Sequence, residues 1–166
     1  MILVADASAL IALAACNSLP LLDAIFGTVW VPETVYLEVA AADKPQAERL
    51  RQYLQDKVRP VNMQNYVYLD AFADAGETAA MLLYKELPAD YLLIDDKRGR
   101  KVANINHIKT IGSLGVLLQA KRAGLIPLIA PLLSQIQASP VYIGQRLIET
   151  VLELASESKM QPGFSP

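Results

Sequence analysis

Two apolar runs of strand length, "ILVA" at residues 2–5 and "YLLI" at residues 91–94, each end abruptly in carboxylates. Asp6 follows the first run and Asp95 and Asp96 follow the second. An apolar run without polar alternation is the pattern of a strand covered on both faces, and such strands pair in parallel. Helical segments fill the stretches between. Ser8 is placed to cap a helix reaching about Cys16. "PLLDAIFG" starts on Pro20 and stops at Gly27, "TVWV" reads as a strand, and Pro32 opens the helix "PETVYLEVAA". The polar helix "PQAERLRQYLQDK" and a short strand around "VRPV" come next. Residues 62–77 carry no readable period. "GETAAMLLYKEL", "KRGRKVANIN" and "SLGVLLQAKRAG" read as helices, the last capped by Ser113, with the strand "IKTI" between the second and third. Two tail helices, at 127–137 and 143–155, precede a loose "SKMQPGFSP".

This alternation specifies an α/β fold: a three-layer α/β/α sandwich on a central, mainly parallel sheet, with extra C-terminal helices. In such sheets ligands bind outside the carboxyl ends of the strands, near the point where strand order reverses. Residues that directly follow strands are therefore the first candidates for chemistry.

An export signal is the competing reading of residues 1–16, since "LAAC" resembles a lipoprotein cleavage box. A signal peptide starts with positive charge, and no Lys or Arg precedes Lys44. Asp6 interrupts the apolar stretch, which is too short to span a bilayer. A cytoplasmic protein with no membrane association is expected, and the single cysteine, Cys16, suits a reducing compartment. With 53% hydrophobic and 19% charged residues the chain can bury a core, and a net charge of −2 argues against a broadly basic nucleic-acid surface while leaving room for a local basic patch.

The acids are the richest signal. Asp6 can be a helix cap or a site residue, and a second strand delivering Asp95 and Asp96 to the same edge favours the site. Glu38 lies beside the buried stripe of Val35 and Val39, whereas Glu33 is explained by the helix dipole. Glu77 fits a capping box with Asp74, "DAGE", or a site beside Gly76. Carboxylates converging in one cleft need cations, and oxygen-only donors select Mg²⁺ or Mn²⁺ over zinc. Lys97, Arg98, Arg100 and Lys101 stand next to Asp95 and Asp96, as a phosphodiester substrate needs, or form a solvated helix face. His107 is the only possible base for a serine triad and reads as structural.

"VADASALIAL", "VPETVYLEV", "GETAAMLLYKE", "LLIDDKRGRKVA" and "IGSLGVLLQAKRAGLI", in this order, resemble the PIN-domain family of metal-dependent nucleases, and most closely its small prokaryotic branch with an "IDD" motif. Each motif is weak alone; five in order are specific. The resemblance implies a PIN-like nuclease domain over residues 1–133, with 134–166 as a helical extension packed on the same domain. It implies an endoribonuclease using Mg²⁺ or Mn²⁺, many relatives being VapC-like toxins of toxin–antitoxin pairs, and hence an RNA substrate, an antitoxin partner and a homodimer. Asp6, Glu38, Glu77, Asp95 and Asp96 match the family's catalytic acids. Asp6, Glu77, Asp95 and Asp96 are the metal ligands it implies, with Glu77 reaching through water. The motif leaves open which of Asp95 and Asp96 matches the last acid, and Asp95, first after the strand, is expected to be the closer. Ser8 and the cations Lys97, Arg98, Arg100 and Lys101 fall on the substrate side. Two rivals remain: an inactive PIN-like module that binds RNA or protein, and an aspartate-dependent phosphatase, against which Ser8 stands where a second acid is usual.

Overall fold

The apolar runs meet in a single parallel sheet in the computed structural model, which describes residues 1–157; the tail "SKMQPGFSP" lies outside the described residues. The strands are β1 (Ile2–Ala5), β2 (Thr28–Pro32), β3 (Val58–Arg59), β4 (Tyr91–Leu93) and β5 (Thr110–Ile111), in the order β3-β2-β1-β4-β5. Between them run α1 (Ala7–Ala15), α2 (Pro20–Phe26), α3 (Glu33–Val39), α4 (Ala47–Leu54), α5 (Ala75–Glu86) and α6 (Lys97–Ile105). After β5 come α7 (Ser113–Arg122), α8 (Ala130–Gln137) and α9 (Gln145–Leu154). The three-layer expectation holds.

Strand parity divides the core. Leu3, Ala5, Val29, Val31 and Leu93 face one side, where α1, α2, α7, α8 and α9 pack, joined by α3 and α4. Val4, Leu92 and Ile94 face the other, against α5 and α6. Because both faces are covered, the strands show no polar alternation. The apolar α1 is explained in the same way: six of its nine residues are buried, and Cys16 is buried at its end. Among the described residues no single helix is long and apolar enough to cross a membrane.

The C-terminal helices cover this core rather than extending from it, with Ile136, Ile148 and Val151 buried in the first cluster. One carboxylate fastens them. Glu157 accepts from the N–H groups of Ile129 and Ala130 at 2.9–3.0 Å, at the start of α8, and from Lys121 Nζ of α7 at 2.7 Å. Burial pushes the Glu157 carboxyl up, but Lys121 and the two N–H groups together outweigh it and hold it below the usual range. Its contribution is therefore present above the ordinary carboxylate range and is lost as pH falls through the lowered value. Glu157→Ala is expected to cost about 2 kcal/mol in chemical denaturation at pH 7, and less at pH 3. An equal cost at both values would show that the charge is irrelevant.

Three helix starts differ from expectation. Ser8 caps nothing, because α1 begins at Ala7 with Asp6 in the cap position. Pro32 closes β2, and α3 opens at Glu33. Ser113 is the first residue of α7 rather than its cap, for a reason that belongs to the site.

Candidate active site

β1 and β4 are neighbours, with Ala5 opposite Leu93. The Asp6 N–H donates to the Leu93 carbonyl at 2.8 Å, carrying the ladder one residue past β1. That bond places Asp6 where the strand order reverses. Its side chain makes no capping bond and is only 4% exposed, so capping does not account for it. Burial, above all, pushes its carboxyl up to about 7; the Ala7 N–H opposes this, while Asp74, Glu38 and Asp95 add to it.

Glu77 sits in the first turn of α5, whose cap is Asp74: the Glu77 N–H donates to Asp74 Oδ1 at 2.7 Å. The Glu77 carboxylate is buried at 5% exposure, and its Oε2 has no hydrogen-bond partner among the described residues. Burial first, then Asp74, Asp6 and Asp96, push this carboxyl up to about 8. A Cβ on Gly99 would collide with Glu77 Oε2, so the side chain reaches across to the first turn of α6. Glu38, on an exposed part of α3, also has its carboxyl raised, by burial and by Asp74, against the pull of Lys44. Gly76 admits it: a Cβ there would lie 3.1 Å from Glu38 Oε2 and 3.5 Å from Asp74 Oδ1.

The two acids after β4 part company. Asp95 receives Ser113 N–H on Oδ1 and Ser113 Oγ–H on Oδ2, both at 2.7 Å. It therefore caps α7 from another element, which is why Ser113 caps nothing. Asp96 caps α6, accepting from the Gly99 N–H at 2.7 Å on Oδ2. It then lines an open cavity of about 690 Å³ together with Asp74, Glu77 and Phe72. Lys97, Arg98 and Lys101 form the basic side of this cavity. Arg100 does not join them. The helical period turns it away, to a separate cavity of about 380 Å³ that it shares with Asp95, Ser113 and residues of α9. Ser8 is exposed on α1. His107 stands exposed just beyond α6, at the end opposite Asp96, which removes it from any triad with these acids.

Asp74 is the member that sequence reasoning treated only as a cap. It adds to the repulsion on Asp6, Glu38 and Glu77 alike. The signal available was its place three residues before an acid in the first turn of a helix.

The family model described as the PIN domain matches residues 2–157. The chain belongs to the PIN-domain family. No curated protein and no solved structure matches it. The match brings a nuclease-type fold, in a family whose members are generally nucleases and typically use divalent metals. Among the described residues of this PIN domain, no three His, Cys, Asp or Glu side chains form a ready-made ion site. The donors present fit a hard cation in their chemistry: they are all oxygens, they repel one another, and Glu77 Oε2 is buried without a partner.

Proposed function

We propose that this PIN domain is a metal-dependent endoribonuclease and the toxin of a toxin–antitoxin pair. The observation that carries the reading is the buried Glu77 carboxylate, whose Oε2 has no partner among the described residues, set among Asp74, Asp6 and Asp96 in or beside a cavity that three cations also line. A buried carboxylate oxygen without a partner is costly unless something positive meets it. Asp6, Glu77 and the Asp95–Asp96 pair would hold a Mg²⁺ or Mn²⁺ ion. Of the pair, Asp96 keeps Oδ1 clear of its capping bond, while Asp95 has both oxygens engaged by Ser113. When bound, such an ion supplies the acidity that makes water a nucleophile at neutral pH and offsets charge on the phosphate.

The chain's own residues do the rest. Lys97, Arg98 and Lys101 clamp the phosphates of the strand as point charges and forks along one side of the cavity. The Asp96 cap and the Asp95–Ser113 link tie β4, α6 and α7 together, so the acids do not shift when the polyanion arrives. The same reading includes an antitoxin as inhibitor and a homodimer, supported by the exposed Leu147 and Leu154 of α9.

Cleavage of a mixed set of structured and single-stranded RNAs tests the proposal, with Mn²⁺, Mg²⁺ or EDTA, and with Asp6→Asn protein prepared in parallel. Cutting by wild type alone, abolished by EDTA, supports it. Equal cutting by both proteins, or none by wild type in either metal, counts against it.

A further inference from the structure

Phe72 is 57% exposed, at the end of a 3-10 turn (Asp70–Phe72), and it forms part of the wall of the cavity that carries Lys97, Arg98 and Lys101. One exposed aromatic ring is ordinary by itself; what distinguishes Phe72 is that it lines the same cavity as Asp74, Glu77, Asp96, Lys97, Arg98 and Lys101, offering an apolar face beside charge. The segment that carries it is held, not loose. Val67 is buried in the second core cluster. The Tyr68 N–H donates to Asn106 Oδ1 at 2.9 Å, and Asn106 Nδ2 donates back to the Tyr68 carbonyl at 2.8 Å. The Phe72 N–H closes the turn on the Leu69 carbonyl at 3.0 Å. None of Lys97, Arg98 and Lys101, which line the same cavity, enters an ion pair among the described residues. They are available to an incoming anion.

A flat apolar surface beside unpaired cations matches the two faces of an unpaired nucleotide, a π-face and a phosphate. A base inside a duplex is already stacked and cannot present its face to a side chain.

We propose that Phe72 is a specificity-determining residue: one unpaired base of an RNA strand stacks on its ring while neighbouring phosphates lie against Lys97, Arg98 and Lys101. Selection of unpaired over paired RNA then resides in this contact. The inference takes its ligand from the RNA-cleaving reading but does not depend on catalysis, so binding tests it directly.

The experiment measures binding of one labelled RNA sequence, single-stranded and as a duplex, by fluorescence anisotropy in EDTA so that nothing is cut. Wild type, Phe72→Ala, Phe72→Leu and Phe72→Trp are compared, with melting curves to confirm that each is folded. Phe72→Ala is expected to weaken single-strand binding at least about fivefold and to leave duplex binding unchanged. Phe72→Leu, apolar but without a π-face, should fall with it, and Phe72→Trp should bind at least as well as wild type. Equal single-strand binding by Phe72→Ala and wild type overturns the proposal, as does equal loss on single strand and duplex. Wild type with no single-strand preference also overturns it and leaves the aromatic surface to a protein partner. A wild type that binds with this preference yet never cuts sinks the nuclease reading and keeps the stacking one. A Phe72→Ala protein that binds and cuts like wild type does the reverse.

Discussion

Asp6→Asn protein is expected to cleave RNA at least about a hundredfold more slowly than wild type, and to melt at a higher temperature in metal-free buffer near pH 8. Both effects come from one side chain. Asp6 and Glu77 are buried carboxyls raised to about 7 and about 8, burial being the first cause for each. In the unfolded chain both titrate at about 4. As pH rises from that point the unfolded chain gives up its protons first, while the folded protein keeps them. Stability therefore falls as pH rises, and the full penalty is present only above the folded values. Below about pH 4 neither state is charged and the groups cost nothing. Metal-free wild type should thus lose melting temperature between pH 5 and pH 8.

Asn at position 6 carries no charge, so that variant's decline is expected to be shallower; Glu77→Gln should behave in the same way. Mg²⁺ should raise the melting temperature of wild type more than that of either variant, since a ligand stabilises only the state that binds it. An Asp6→Asn protein with the wild-type slope and no gain at pH 8 would show that the buried charge is not costly. The same variant cleaving at the wild-type rate would remove Asp6 from the chemistry.

Gly99→Ala is expected to lower cleavage by about tenfold to a hundredfold while the protein still folds. On helix propensity alone the substitution gains up to about 1 kcal/mol. The space refuses it: the added Cβ meets Glu77 Oε2 and lies 2.8 Å from both Glu77 Cδ and Ile94 Cδ1. The atoms that can yield are the ends of the Glu77 and Ile94 side chains, and since the closest is a Glu77 oxygen, relief of the clash displaces the Glu77 carboxylate. Adding Glu77→Ala removes the nearer clash and leaves only the Ile94 side-chain end to shift, so the double variant should recover melting temperature without recovering cleavage. Such non-additivity marks two residues acting through one contact. Gly99→Ala protein with the wild-type rate would mean that the position of Glu77 is unimportant.

The central strands were legible because burial on both faces writes an unbroken apolar run, and Asp6 was legible because it follows one directly. Asp95 and Asp96 were visible as a pair, with only order after the strand to put Asp95 forward as the closer ligand. What divides them is Ser113, which arrives from another element and engages both oxygens of Asp95. Arg100 could have been set apart from Lys97, Arg98 and Lys101 by counting around the helix, since only the latter three share the cavity. The inward turn of Glu77 was hidden, because it depends on the missing side chain at Gly99. The stretch bearing Phe72 showed no period because no period holds it; one buried valine and one asparagine side chain do.

The central place of β1 also sets how the site comes into being. Its partner β4 lies far along the chain, and the bond from the Ile2 N–H to Asp90 Oδ2 spans 88 positions. Joining such distant segments costs loop entropy before any contact rewards it, so this pairing is expected to form after the more local ones. Every partly folded species without the β1–β4 pair lacks the edge that carries Asp6 and Asp96 together. Whatever chemistry this edge supports is therefore expected to wait on that closure, because Asp6 and Asp96 are not brought together before it.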